Sequence, residues 1–375
     1  MNIQMVDLMG QYSKIKDEVD RNIISSIESG RLINGPIVKE FSENLKKYLN
    51  VNHVIPCANG TDALQIAFMA LGLQPGDEVL CPSWTYVATA EAAAILGLKP
   101  IMCDVDINTF NVTAENIEPF ISDKTKAIVP VHLYGQSCDM DSIMELAKKY
   151  NLKVVEDNAQ AIGCRYTSSK NTTLFTGTIG DIGTTSFYPS KNLGAFGDGG
   201  AIFTNDSELA EKIYLAANHG QNKRYHHKII GCNSRLDSIQ AEILNIKLKH
   251  LDSYNISRNK MAAKYNSAFQ TINEIQTPQV IDRSTHVYHQ YTLKILIPEK
   301  RDLLKKYLSD NGIPSMIYYP IPLYKQEAFK KYVKKDFKLK NTEFLAKNVL
   351  SLPIHTEIEN SNQDYIIEKV INFFK

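Results

Sequence analysis

Between about residues 54 and 205, short runs rich in β-branched and aromatic side chains alternate with longer runs of helical period. That is the pattern of a mostly parallel sheet with helices on both faces. VIPCAN, DEVLCPS, KPIMCDVD, TKAIVPVHL, LKVVEDNA, TTSFYP and GGAIFTND read as its strands. Between them, TDALQIAFMALGL is apolar nearly all round and stops at a glycine-containing turn, so it reads as a buried helix. ATAEAAAILGL and MDSIMELAKKYN are further helices. Residues 235–275 carry apolar positions at three- and four-residue spacing, which predicts a long helical connection to a second domain. The last third alternates again through HVYHQYTLKIL, RDLLKKYLSDNG and IPSMIYYP, then ends in the helices LAKNVLSL and YIIEKVINFFK. The expected division is a large domain over 1–250, with an amphipathic N-terminal segment at about 12–29 packed outside the sheet, and a smaller α+β domain over 251–375.

A chain of 375 residues suits this two-part plan and can bury a sizeable core. Its 42 basic and 41 acidic residues leave a net charge of +1, so no global field favours nucleic acid or an anionic membrane surface, and neither is expected as a partner. The start of the chain has polar and charged residues where a signal peptide needs an apolar run, and no later run reaches about 18 apolar residues, so a cytoplasmic location is expected. Cys57, Cys81, Cys103, Cys138, Cys164 and Cys232 are scattered without a CxxC pair. Buried free thiols are expected, with no metal and no disulfide framework.

Three places could carry chemistry. Asp157 ends the apolar strand of VVEDNAQAIG, and strand C-termini are where open α/β sheets place ligands. A lone aspartate there serves equally well as a turn cap. Lys191 lies in a turn rich in glycine, serine and proline between two apolar strands, where a desolvated amine beside a crevice suits Schiff-base chemistry. NGTDAL opens the buried helix, so the free N–H groups at Gly60 and Thr61 and the positive helix end could seat a phosphate, although Asn59 or Thr61 could simply be the N-cap. A phosphate seat, a strand-end carboxylate and a crevice lysine are together what pyridoxal 5′-phosphate requires.

From about residue 7 to 370 the chain resembles the DegT/DnrJ/EryC1/StrS family of nucleotide-sugar aminotransferases. The resemblance runs through SGRLINGPIVKEFSENLKKYL, NGTDALQIAFMALGLQPGDEVLCPSWTYVATAEA, TKAIVPVHLYGQ, VVEDNAQAIG, SFYPSKNLGAFGDGGAI and GCNSRLDSIQAEIL. It implies an α/β, fold type I aminotransferase, with a large domain built on a mostly parallel seven-stranded sheet and a smaller C-terminal α+β domain. It makes pyridoxal 5′-phosphate the cofactor, Lys191 the Schiff-base lysine and Asp157 the partner of the ring nitrogen. It implies further that Gln160 contacts the ring hydroxyl, that Tyr86 stacks on the ring while Trp84 is wall or core, and that Ser186 joins Gly60 and Thr61 at the phosphate. Asn233 matches a residue that reaches the neighbouring subunit's cofactor, which implies a homodimer with shared sites. L-glutamate is the implied amino donor. HGQNKRYHHKIIGCNSRLD and GIPSMIYYPIPLYKQEAF look most like the subgroup that aminates C-3 of UDP-2-acetamido-3-keto-glucuronate, with Asn233 and Arg235 from one chain and Tyr318 and Tyr319 from the other lining the sugar pocket. The competing readings are a dTDP-3-keto-6-deoxyhexose 3-aminotransferase, a C-4 ketosugar aminotransferase, and a non-enzymatic regulator on the same fold.

Overall fold

Every strand read between residues 54 and 205 joins one sheet. In a computed structural model that describes residues 3–375, these strands are β1 (His53–Cys57), β2 (Glu78–Pro82), β3 (Lys99–Cys103), β4 (Thr125–Ile128), β5 (Lys153–Asp157), β6 (Ile182–Ser186) and β7 (Gly200–Thr204). Their spatial order is β1-β7-β6-β5-β4-β2-β3. Strand β7 runs antiparallel to β1 and β6, and the other pairs are parallel.

The sheet divides its side chains by parity, because successive residues of a strand point to opposite faces. Val79 and Val155 pack in one buried cluster with Ala63, Phe68 and Ala92, while Leu80 and Val154 pack in another with Ile143 and Leu146. Helices α1 (Leu8–Glu28) and α2 (Pro36–Leu49) precede the sheet; α3 (Gly60–Ala70) and α4 (Ala88–Ile95) cover its first face. The N-terminal amphipathic segment is α1, and it lies outside the sheet against the helix Ser238–Leu248.

The helical pattern over 235–275 is two helices, Ser238–Leu248 and Leu251–Phe269, interrupted at Lys249 and His250. A small antiparallel sheet follows, formed by β8 (Ile275–Gln276), β9 (Tyr291–Ile295) and β10 (Val349–Leu352) in that order. The segment LAKNVLSL is therefore helical only as far as Asn348, and its last residues pair with β9. IPSMIYYP meets that sheet only through a bridge between Met316 and Ser351. Phe269, Leu293, Leu304, Leu352 and Ile366 gather in a separate buried cluster around it. All six cysteines are free; five are buried and Cys232 is half-buried, its thiol donating to the Ala216 carbonyl at 3.3 Å. Among the described residues, no helix is long and apolar enough to cross a membrane.

Candidate active site

Strand parity chooses between the two acids at the end of β5. Asp157 shares the face of Val155, so its carboxylate points toward α4, where Thr89 Oγ1 donates to Oδ2 at 2.7 Å. Its Oδ1 accepts the Ala159 N–H at 3.1 Å. Glu156 faces the other way and is wholly buried, accepting from His132 Nε2 and from the backbone N–H groups of Gly177, Ile179 and Gly180. Those donors satisfy Glu156 as an anchor for the 177–180 loop.

Lys191 follows β6 in the turn that leads into β7, and its own N–H donates to the Tyr188 carbonyl at 2.8 Å. Burial pushes its amine down to about 8, against the opposing pull of the Asp157 carboxylate. The two groups thus act on each other near the C-terminal ends of adjacent parallel strands.

The third component is the start of α3. Asn59 caps it, its Oδ1 accepting the Asp62 N–H at 2.8 Å, which leaves the N–H groups of Gly60 and Thr61 without a capping partner. Ser186 ends β6 directly beside them: a Cβ on Gly60 would sit 2.8 Å from Ser186 Cβ. Only glycine lets the hydroxyl and the helix end share this cradle.

Gln160 is buried; its Oε1 accepts the Tyr134 N–H at 2.8 Å, and its Nε2 donates to the Tyr319 hydroxyl at 3.2 Å. Tyr319 in turn packs edge-on to Trp84, with ring centroids 6.1 Å apart, and lies 6.3 Å from Tyr86. Trp84 is core at 1% exposure, whereas Tyr86 is 59% exposed and free to cover a ligand. Tyr318 accepts through its carbonyl from the Tyr134 hydroxyl. Asn233 is exposed on a bridge to Asn218, and Arg235 lines a separate groove with Asn34, Lys39 and Tyr214. No hydrogen bond or ion pair among the described residues joins either of them to Lys191, Asp157 or Gln160. The structure therefore brings together Lys191, Asp157, Gln160, Tyr86, Tyr318 and Tyr319, sets Gly60, Thr61 and Ser186 together as one cradle, and bonds Asn233 and Arg235 to none of them, although Ser234 between them accepts the Ala58 N–H at 3.0 Å.

Two nearby residues escape a reading of the sequence. Thr89 bonds Asp157 across 68 positions. His289 is buried with no partner for Nδ1 among the described residues, and burial together with the charge of Lys191 drives its imidazole well below the usual range. The aromatic run HVYHQY was the only hint of the second.

Comparison with known proteins places this arrangement. The model of the DegT/DnrJ/EryC1/StrS aminotransferase family matches residues 13–371. The chain belongs to that family. The aminotransferase is 42% identical over 370 residues to UDP-2-acetamido-2-deoxy-3-oxo-D-glucuronate aminotransferase of Pseudomonas aeruginosa, covering 99% of this chain and 100% of the relative. It is also 42% identical, over 377 residues covering 100% and 99%, to a pleiotropic regulatory protein of Geobacillus stearothermophilus. Its fold matches that of DesV from S. venezuelae, solved in complex with a ketimine intermediate, with a TM-score of 0.95 and 36% identity over 100% of this chain and 99% of that one. Pyridoxal 5′-phosphate is the cofactor of such aminotransferases. This donor set fits it: an anion cradle that a single Cβ at Gly60 would fill, a carboxylate at a strand end, and a desolvated amine within the electrostatic reach of that carboxylate.

Proposed function

We propose that this aminotransferase moves an amino group from L-glutamate to carbon 3 of a nucleotide-linked 3-ketosugar, with UDP-2-acetamido-3-keto-glucuronate the first candidate. The observation that carries the chemistry is the desolvated Lys191 amine opposite the doubly hydrogen-bonded Asp157. When bound, pyridoxal phosphate supplies an electron sink that lets a proton leave the carbon bearing the amino group. Lys191 Nζ would hold the cofactor and, as a free amine, would carry that proton away from the carbon bearing the amino group, a task suited to an amine near 8. The Asp157 carboxylate would keep the ring nitrogen protonated, Gly60, Thr61 and Ser186 would seat the phosphate, and Tyr86 and Gln160 would hold the ring.

The sugar pocket is completed in this reading by a second copy of the chain, whose Asn233 and Arg235 enter beside Tyr318 and Tyr319. A buried donor suits the sugar acid, and an apolar face supports a homodimer. Arg235 Nε is buried without a partner among the described residues, a donor that paired hydrogen bonds to a uronate carboxylate could use. An apolar groove between α1 and the Lys191 turn, lined by Leu8, Met9, Tyr12, Ile23, Pro189 and Phe196, leaves Met9 69% exposed. The free cysteines are of the kind kept reduced in the cytoplasm, which is the location we propose.

The test is spectroscopic and then preparative. Glutamate added to the purified holoenzyme should shift the visible absorbance, and a panel of UDP- and dTDP-linked 3-ketosugars should restore it selectively for the UDP-linked uronate. A cofactor band indifferent to glutamate favours the regulatory reading, and restoration by dTDP sugars alone displaces the uronate.

A further inference from the structure

The helix Ser238–Leu248 presents two side chains to the turn that carries Lys191. Lys247 has no exposed surface; its Nζ donates to the Gly194 carbonyl at 2.6 Å and lies 5.2 Å from the centre of the Phe196 ring. Two helical turns earlier on the same face, Gln240 Oε1 accepts the Phe196 N–H at 2.9 Å. A fully buried lysine is costly, and this one has no carboxylate partner among the described residues; burial and the neighbouring Arg258 push its amine down to about 8. A hydrocarbon side chain would fill the same space without that desolvation cost. What the amine adds is its grip on the turn.

That turn is closed on itself. The Lys191 N–H bonds the Tyr188 carbonyl at 2.8 Å and the Ala195 N–H bonds the Phe187 carbonyl at 2.7 Å. Gly194 passes so near Pro189 that a Cβ would lie 2.3 Å from the Pro189 carbonyl oxygen. Between these crossings Lys191 has little backbone freedom of its own, and its position follows from where Gly194 and Phe196 are held. Asn192 Nδ2 also reaches Asn255 Oδ1 at 2.8 Å and the Val287 carbonyl at 2.9 Å.

We propose that Lys247 and Gln240 are positioning residues for Lys191: by fixing the Gly194 carbonyl and the Phe196 amide they set where the Lys191 amine lies relative to Asp157. The proposal rests on the reading of Lys191 as the cofactor-binding lysine. Neither residue touches the reacting atoms.

Lys247→Met, Lys247→Arg and Gln240→Leu are purified as holoenzymes beside the unaltered protein. The readouts are the pH midpoint of the visible cofactor band, the rate and glutamate dependence of the first half-reaction by stopped flow, and the melting temperature. Displacement of a reacting group by about 1 Å costs on the order of 10²-fold. Lys247→Met and Gln240→Leu should therefore slow the half-reaction roughly ten- to a hundredfold with little change in the glutamate concentration at half-maximum, and should move the pH midpoint. Lys247→Arg, which keeps a charged donor, should recover most of the rate. A purely structural residue would lower the melting temperature and leave rate and midpoint alone. Folded Lys247→Met or Gln240→Leu with the unaltered midpoint and rate overturns the proposal; if Lys247→Met does not fold, the half-buried, uncharged Gln240→Leu decides by the same criteria. Borohydride reduction and peptide mapping of the unaltered holoenzyme separates the two levels. Label on another residue overturns the reading of Lys191 and the proposal with it, whereas label on Lys191 with unaltered variants overturns the positioning role alone.

Discussion

Thr89 donates its hydroxyl to Asp157 Oδ2 at 2.7 Å, and both side chains are buried. With the Ala159 N–H on Oδ1, this bond fixes the plane of the carboxylate at the end of β5. Thr89→Val keeps the shape and removes the donor. It should retain the cofactor but slow the glutamate half-reaction roughly tenfold, equivalent to about 1.4 kcal/mol in the barrier. Stopped-flow absorbance measures this, and an unchanged rate would reduce Thr89 to a packing residue.

Removing the charge itself should cost more. Asp157→Asn keeps the phosphate cradle and should still bind cofactor, yet lose on the order of 10²-fold or more in the half-reaction, the scale of deleting a major electrostatic group. Lys191→Ala should abolish turnover with an unchanged far-ultraviolet circular dichroism spectrum, because the turn is held by its backbone and by neighbours. Half of the original kcat in Lys191→Ala would exclude its role.

The depressed Lys191 amine makes a pH prediction. Only the neutral amine attacks an aldehyde, so the rate at which cofactor-free protein combines with pyridoxal phosphate should rise about tenfold per pH unit up to about 8 and level off above it. Mixing experiments across pH 6–10 read this directly, and a plateau reached only near 10 would contradict it. The linked effect on folding has a definite sign. Lys191 and Lys247 both sit near 8 when folded, below the ordinary 10.5 of a lysine, so the cost of burying their charge is full below 8 and is relieved as pH rises toward 10.5.

Gly60→Ala should weaken cofactor retention while leaving the sheet intact. Its Cβ would meet Ser186 Cβ at 2.8 Å, forcing the helix end and the strand end apart where the phosphate is proposed to sit. Equilibrium dialysis of the cofactor measures the loss. Retention equal to that of the unaltered protein would place the phosphate elsewhere.

The proposed homodimer is tested by complementation. Mixing Lys191→Ala chains with Asn233→Ala chains under exchange conditions should restore part of the activity if Asn233 serves the partner's site, since both lesions then fall in one composite site and the other is whole. If Asn233 serves its own chain, every mixed site carries a lesion and nothing is restored. The comparison requires Asn233→Ala alone to be clearly impaired.

Local pattern determined the strands of the large sheet, the helices α3 and α4 and the helix Met140–Tyr150, because alternation and helical period are properties of contiguous residues. The run ending LAKNVLSL shows where that stops: a short apolar stretch is compatible with helix or strand, and only pairing of Val349–Leu352 with Tyr291–Ile295 decides for strand. The break at Lys249 and His250 was likewise invisible, since the apolar spacing continues across it. At the site, Lys191, Asp157 and the Gly60 helix start were legible from motif and position. That Glu156, one position earlier, turns to the opposite face and anchors the 177–180 loop depends on a core whose two faces exist only after distant segments pack. Thr89 and Lys247 carried no local mark at all, because their bonds to Asp157 and to the Gly194 carbonyl span 68 and 53 positions, and such contacts belong to the packed chain alone.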